Sequence, residues 1–131
     1  MSYDPSDLKW VKITKTFSDF STASVTNAIT IYSLSSKQLI HSTQIVVTTT
    51  FSGGTIATYT ISIGTGGNAT KYSAATNVFT GASLPAISTS AGLESTSGAT
   101  NILATAISTI GNLSAATQGS VDIYLLISNL P

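Results

Sequence analysis

The sequence predicts an all-β fold, a single β-sandwich of jelly-roll type with an extended N-terminal arm. Three observations carry this: apolar and hydroxyl residues alternate with a period of two, β-branched residues crowd the longest ordered stretches, and glycine-rich turns separate them. A closed barrel is the alternative that the same pattern allows. With 131 residues, the chain has room for one core and not for two.

Taken in order, residues 1–10 form the expected arm and residues 11–131 the sandwich. Proline biases its neighbourhood towards extended backbone, so Tyr3, Pro5, Leu8 and Trp10 are the arm residues expected to dock on a neighbouring chain. Strands are expected at residues 11–17 and 28–34, the latter with Ile29 and Ile31 on one side. Residues 39–51 hold Ile40, Thr43, Ile45, Val46, Val47, Thr48, Thr49 and Thr50, whose branched Cβ atoms suit a pleated surface better than a helix. Gly53-Gly54 then predicts a tight hairpin into residues 56–63. There Ala57, Tyr59, Ile61 and Ile63 alternate with Thr58, Thr60 and Ser62, an apolar row inside and a hydroxyl row outside.

The pattern breaks between Gly64 and Ala99, with short strands expected at residues 71–72 and 77–79. A loop of that length is more often functional or interface-forming than idle. Residues 101–109 read as a strand with Leu103, Thr105 and Ile107 on one face. Recurring alanine also allows a helix over residues 102–110, and the interspersed Ile and Thr favour the strand. The last strand, residues 121–127, is expected to be central, with Val121, Ile123, Leu125 and Ile127 in the core. Its other face, Asp122, Tyr124, Leu126 and Ser128, is partly apolar and is expected to meet a partner chain or a neighbouring layer.

Charge is scarce. Five lysines balance five acids, there is no arginine, and 8% of residues are charged against ~25% in a typical domain. Ser and Thr, roughly a third of the chain, must supply most of the surface. Such a surface carries little repulsion, so copies are expected to associate. Nucleic acid is not an expected partner, because phosphate binding needs clustered Lys or Arg. The one cluster, Lys9, Lys12 and Lys15, reads as a solvated edge strand protected against stray pairing. Without cysteine there is no disulfide framework and no thiolate site. The first residues lack the basic and apolar regions of a secretory signal, so synthesis in the cytoplasm is expected. No apolar stretch approaches the ~20 residues of a membrane helix, so no membrane partner is expected.

Chemistry-bearing motifs are few. His41 is the only imidazole, inside a strand beside Ser42 and Thr43, and reads as a hydrogen-bonded strand residue rather than part of a triad. Carboxylates are isolated, and pairing Asp19, Glu94 or Asp122 for acid–base work has nothing to favour it. Gly64-Thr65-Gly66-Gly67-Asn68 lacks the Gly-Lys-Ser/Thr ending of a phosphate loop and reads as a turn. Asn68-Ala69-Thr70 and Asn112-Leu113-Ser114 are chance sequons in so Ser/Thr-rich a chain. No catalytic, metal or cofactor residue is expected, and the chain is not expected to be an enzyme. Tyr72 and Phe79 are the candidates for exposed aromatic contacts, which would suit a glycan.

Three stretches together resemble a family. These are His41-Ser42-Thr43 with Phe51-Ser52-Gly53-Gly54-Thr55-Ile56, then Gly64 through Asn68 with Lys71-Tyr72, and last Ala115-Ala116-Thr117-Gln118-Gly119-Ser120-Val121-Asp122-Ile123-Tyr124. They resemble the small virion structural proteins of tailed bacteriophages. The resemblance implies a head decoration or head-fibre protein, homotrimeric and docked on other virion proteins such as the major capsid protein. A tail or receptor-binding component, or a carbohydrate-binding sandwich, are the alternatives. No active-site residue transfers with it.

Overall fold

In the computed structural model the described residues are 8–79, 86–89 and 100–129. They form eight strands: β1 (Lys9–Thr16), β2 (Thr26–Leu34), β3 (Gln38–Ser52), β4 (Thr58–Gly64), β5 (Ser73–Asn77), β6 (Ala86–Thr89), β7 (Thr100–Thr109) and β8 (Gln118–Asn129). One sheet has the order β1-β8-β3-β6 and the other β2-β7-β4-β5. The chain is an all-β sandwich, as its patterning predicts. Every described strand pair is antiparallel, and β1 with β8, β2 with β7, β3 with β6 and β4 with β5 are all partners. The first half of the chain thus pairs with the second half run backwards, and the β3–β8 and β4–β7 pairs complete each sheet.

The core lies between the sheets. Val121, Ile123, Leu125 and Ile127 are buried, as expected of a central strand. Across the first sheet Ile13, Ile123 and Ile45 stand in one row, and Val11, Leu125 and Thr43 in the next. Buried Tyr59, Ile61 and Ile63 of β4 meet them from the second sheet. The lysine-bearing strand β1 is an edge, as expected, and Lys12 and Lys9 on it are exposed.

Several expectations are corrected. β1 begins at Lys9, inside the expected arm, so Trp10 is a strand residue paired with Leu126. The Gly53-Gly54 turn is not a hairpin, because β3 and β4 lie in different sheets. The glycines instead carry the chain from one sheet to the other, with φ of 147° and 52°, backbone that an L side chain adopts at a cost. A Cβ on Gly53 would also stand 2.5 Å from the Ala115 carbonyl oxygen. Strand β5 begins just after the expected 71–72 segment. The expected 77–79 strand reduces to the end of β5 and an isolated parallel bridge between Phe79 and Phe51. Strand β6 has no counterpart in the sequence reading.

β7 is a strand and not a helix, and the face it turns to the core is the one opposite to Leu103, Thr105 and Ile107. Ile102, Ala104, Ala106 and Ser108 point inwards and are buried, while Leu103 is half-buried and Ile107 is 41% exposed. The reason is volume. Ala106 stands opposite Ile61, and Ala104 opposite both Ile63 and Ile29. Small residues between large ones fill a close-packed layer without overlap.

Phe51 and Tyr59 pack at 4.6 Å between ring centroids, at the centre of this arrangement. The Tyr59 hydroxyl is buried with no hydrogen-bond partner among the described residues. Burial pushes its pKa well above the ordinary value of 10.0, since the phenolate would lose its hydration.

Truncating Ile123 to alanine should cost about 2–5 kcal/mol through lost burial and the cavity left behind. Thr58→Ala, at an exposed hydroxyl that bonds only Thr109 Oγ1 across the surface, should stay within about 1 kcal/mol. Denaturant unfolding of both variants checks this, and equal midpoints would refute the face assignment. Tyr59→Phe should leave stability unchanged or raise it, because it removes a buried hydroxyl that makes no bond among the described residues. Its alkaline behaviour follows with a definite sign. Below about pH 10 the tyrosine is protonated in both states. Above that, only the unfolded state releases the proton, so stability falls as pH rises. Thermal melts from pH 8 to 11 should therefore show a shallower alkaline loss in Tyr59→Phe than in the parent chain.

Candidate interaction surface

Alternation along a strand that buries one face presents the other to water. In β8 the outward residues are Asp122, Tyr124 and Leu126, all half-buried. Register sets their neighbours. Trp10, Leu126 and Ser42 form one row across β1, β8 and β3; Lys12, Tyr124 and Gln44 form the next; Thr14, Asp122 and Val46 form the third. Trp10 is 53% exposed and meets the Tyr124 ring edge-to-face, at 6.3 Å and 86°. Such diagonal contacts across an antiparallel pair are within reach of aromatic side chains. Beside them Asp122 accepts a hydrogen bond from Thr14 Oγ1 at 2.7 Å and pairs with Lys12 Nζ at 3.7 Å. The result is an aromatic and aliphatic patch with one compensated charge pair at its margin.

The expected contact residues fall unevenly around this face. Tyr3 and Pro5 lie outside the described residues. Leu8 is half-buried directly before β1, and Trp10 is on the patch. Tyr72 is not an exposed aromatic: it is 2% accessible. Its backbone N–H donates to Ile63 and its carbonyl accepts from Thr43 Oγ1 at 2.8 Å. Those bonds turn the ring into the core, and Lys71 lies over it at 5.7 Å. Phe79 is half-buried and packs against the core, held by the bridge to Phe51 and by its N–H to Asn77 Oδ1 at 2.9 Å. Sequence reasoning singled out the second face of the last strand. It missed that register would add Trp10 and Val46 to it, because which strands flank β8 is not written locally.

His41 sits where the β3–β8 register shifts, between Ile40 and Ser42. Its Nε2 is 2.6 Å from the hydroxyl of Ser128, which is buried. This is the hydrogen-bonded strand histidine that the sequence suggested. Gly64 to Asn68 is a turn, closed by reciprocal backbone bonds between Thr65 and Asn68 at 2.9 and 3.2 Å. Among the described residues there is no ligand-sized cavity and no group of three His, Asp or Glu side chains placed to hold a metal. None of the helices among them is long and apolar enough to cross a membrane.

No protein-family model matches the chain, and no curated protein does. Solved structures with the same fold exist. A chain of the cyanophage Pam1 capsid asymmetric unit superposes with a TM-score of 0.70 at 21% identity, covering 95% of this chain and 86% of that one. A chain of the acidic stable capsid of Helicobacter pylori bacteriophage KHP30 superposes with a TM-score of 0.56 at 12% identity, covering 99% and 96%. At these identities the likeness is one of fold.

Proposed function

We propose that this chain is a non-enzymatic structural component of a tailed-bacteriophage virion, a head decoration or head-fibre protein. It assembles as a homotrimer and docks on other virion proteins, the major capsid protein among them. The observation that carries the reading is the near end-to-end likeness in fold to chains from two phage capsids. Strand order supports it. Each of the eight described strands pairs with its mirror image along the chain, the pairing that a jelly roll would have, an architecture used for capsid and lectin domains. Docking is assigned to the Trp10–Tyr124–Leu126 face together with residues 1–8 that lead into it. An aromatic anchor inside a weakly charged surround is the usual composition of an interface centre. A carbohydrate-binding role has less behind it. Tyr72 is buried, and Trp10 and Tyr124 stand edge-to-face rather than as a flat platform.

Trp10 is the only tryptophan, so its emission reports on this face alone. In the free protein it should be quenched by acrylamide. On mixing with capsids assembled without this protein it should shift to the blue and become protected, while the chain co-sediments with the particles. Deleting residues 1–8 should weaken co-sedimentation and leave the circular-dichroism spectrum intact. Failure of the full-length chain to bind capsids, or its absence by mass spectrometry from purified phage, would overturn the proposal.

A further inference from the structure

A second surface lies at one end of the sandwich. The links β1–β2, β3–β4 and β7–β8 pack together there. Leu113 N–H donates to Ser24 O and Ser114 N–H to Thr22 O, both at 2.9 Å, and Thr117 N–H donates to Ser52 O at 2.8 Å. Of the four exposed large hydrophobic residues among those described, three belong to this end: Val25 and Ile107, each 41% exposed, and Ile110, 80% exposed. Val25 O accepts from Ser108 N–H at 2.8 Å, which sets it beside β7, and Ile107 stands opposite Thr26 on the outer face of the second sheet.

Ile110 is unusual twice over. Its φ is 71°, the one positive value at a non-glycine position among the described residues, and a β-branched residue is an outlier there. The turn is enforced by its neighbours. Gly111 N–H donates to Thr109 O at 2.8 Å, and Ser108 Oγ donates to Gly111 O at 2.7 Å. Glycine or asparagine would take this backbone with less strain. At 80% exposure, isoleucine here gains little from burial.

We infer that this end, with Ile110 as its knob, is the surface through which copies of the chain associate. Charge decides the occupant. The links at this end, residues 17–25, 53–57 and 110–117, carry a single charge, Asp19. Its carboxylate is already engaged by Thr16, accepting from the N–H at 2.8 Å and from Oγ1 at 3.2 Å. Among the described residues, the links at the opposite end, β2–β3 and β4–β5, carry Lys37 and Lys71. Head-to-tail stacking would press apolar side chains against lysines. A rotation axis instead brings like residues together, which suits a neutral apolar end. The inference deepens the oligomeric part of the proposed function and rests on it only for the number of copies.

The test is sedimentation of the full chain and of Ile110→Asp, Ile110→Gly and Lys37→Asp over a wide concentration range, with circular dichroism of each. Both Ile110 variants should keep the parent spectrum and associate about tenfold more weakly or worse, whereas Lys37→Asp should assemble like the parent. Glycine relieves the backbone strain, so a loss of assembly in that variant cannot be laid to misfolding. A parent chain that stays monomeric throughout, or Ile110 variants that assemble as it does, would overturn the inference. Capsid binding is read separately, so failure here leaves the proposed virion role standing or falling on its own experiment.

Discussion

Every other part of the structure depends on the antiparallel pairing of β8 with β1 on one side and β3 on the other. β8 is twelve residues long, and its alternation sends Val121, Ile123, Leu125 and Ile127 inwards while Asp122, Tyr124 and Leu126 face out. A slip of one residue would exchange the two sets, placing an aspartate in the core and isoleucines in water. Register is therefore strongly specified here, and it determines which residues of β1 and β3 join each face. The same constraint that builds the core also assembles the patch around Trp10 and Tyr124.

A sandwich closed in this way needs links that cross from one sheet to the other, and these demand particular backbone. Gly53 and Gly54 make the β3–β4 crossing with positive φ, and Gly119 opens β8 at φ 147° with the Phe51 ring where a Cβ would stand. Phe51 in turn packs on Tyr59, so the tight approach at Gly119 lets an aromatic pair fill the middle of the sandwich. The cost of this packing is visible at the Tyr59 hydroxyl, which is buried among apolar groups without a partner among the described residues. Ile110 is the contrasting case. It shows strain at the surface, where no core packing repays it, and the proposed contact between copies rests on that contrast.

Low charge links these features to the proposed role. Five lysines and five acids leave net charge near zero, and the described ion pair, Lys12 with Asp122, lies at the margin of the sheet face. Surface pairs of this kind add little to stability. Their value lies in leaving the aromatic centre free of bare charge. As proposed, the two surfaces have two different tasks, a sheet face for docking on the particle and a loop end for association of copies.

What the sequence by itself determined was the class of the fold and the interior of its strongest strands. Period-two alternation is a local signal, so Val121, Ile123, Leu125 and Ile127 and Tyr59, Ile61 and Ile63 could be placed inside without knowing their neighbours, whereas Ala57, expected in the same inner row, is exposed just before β4 and Ser62, expected outside, is buried. The lysines of β1 marked an edge for the same reason, since a protected edge is a property of one strand. Only the tertiary structure decided which strands were partners. The Gly53-Gly54 turn reads alike for a hairpin and for a crossing between sheets, because φ is local and sheet membership is not. β7 carried apolar residues on both faces, and the isoleucines flanking Ala104 and Ala106 chose between them. Tyr72 was drawn inwards in part by Thr43, 29 residues away in the chain. Trp10 joined Tyr124 only through the β1–β8 register, and Ile110 showed its strain only once the β7–β8 link had been folded against its neighbours. Pairing between segments far apart in sequence is a property of the whole core, and no window of residues contains it.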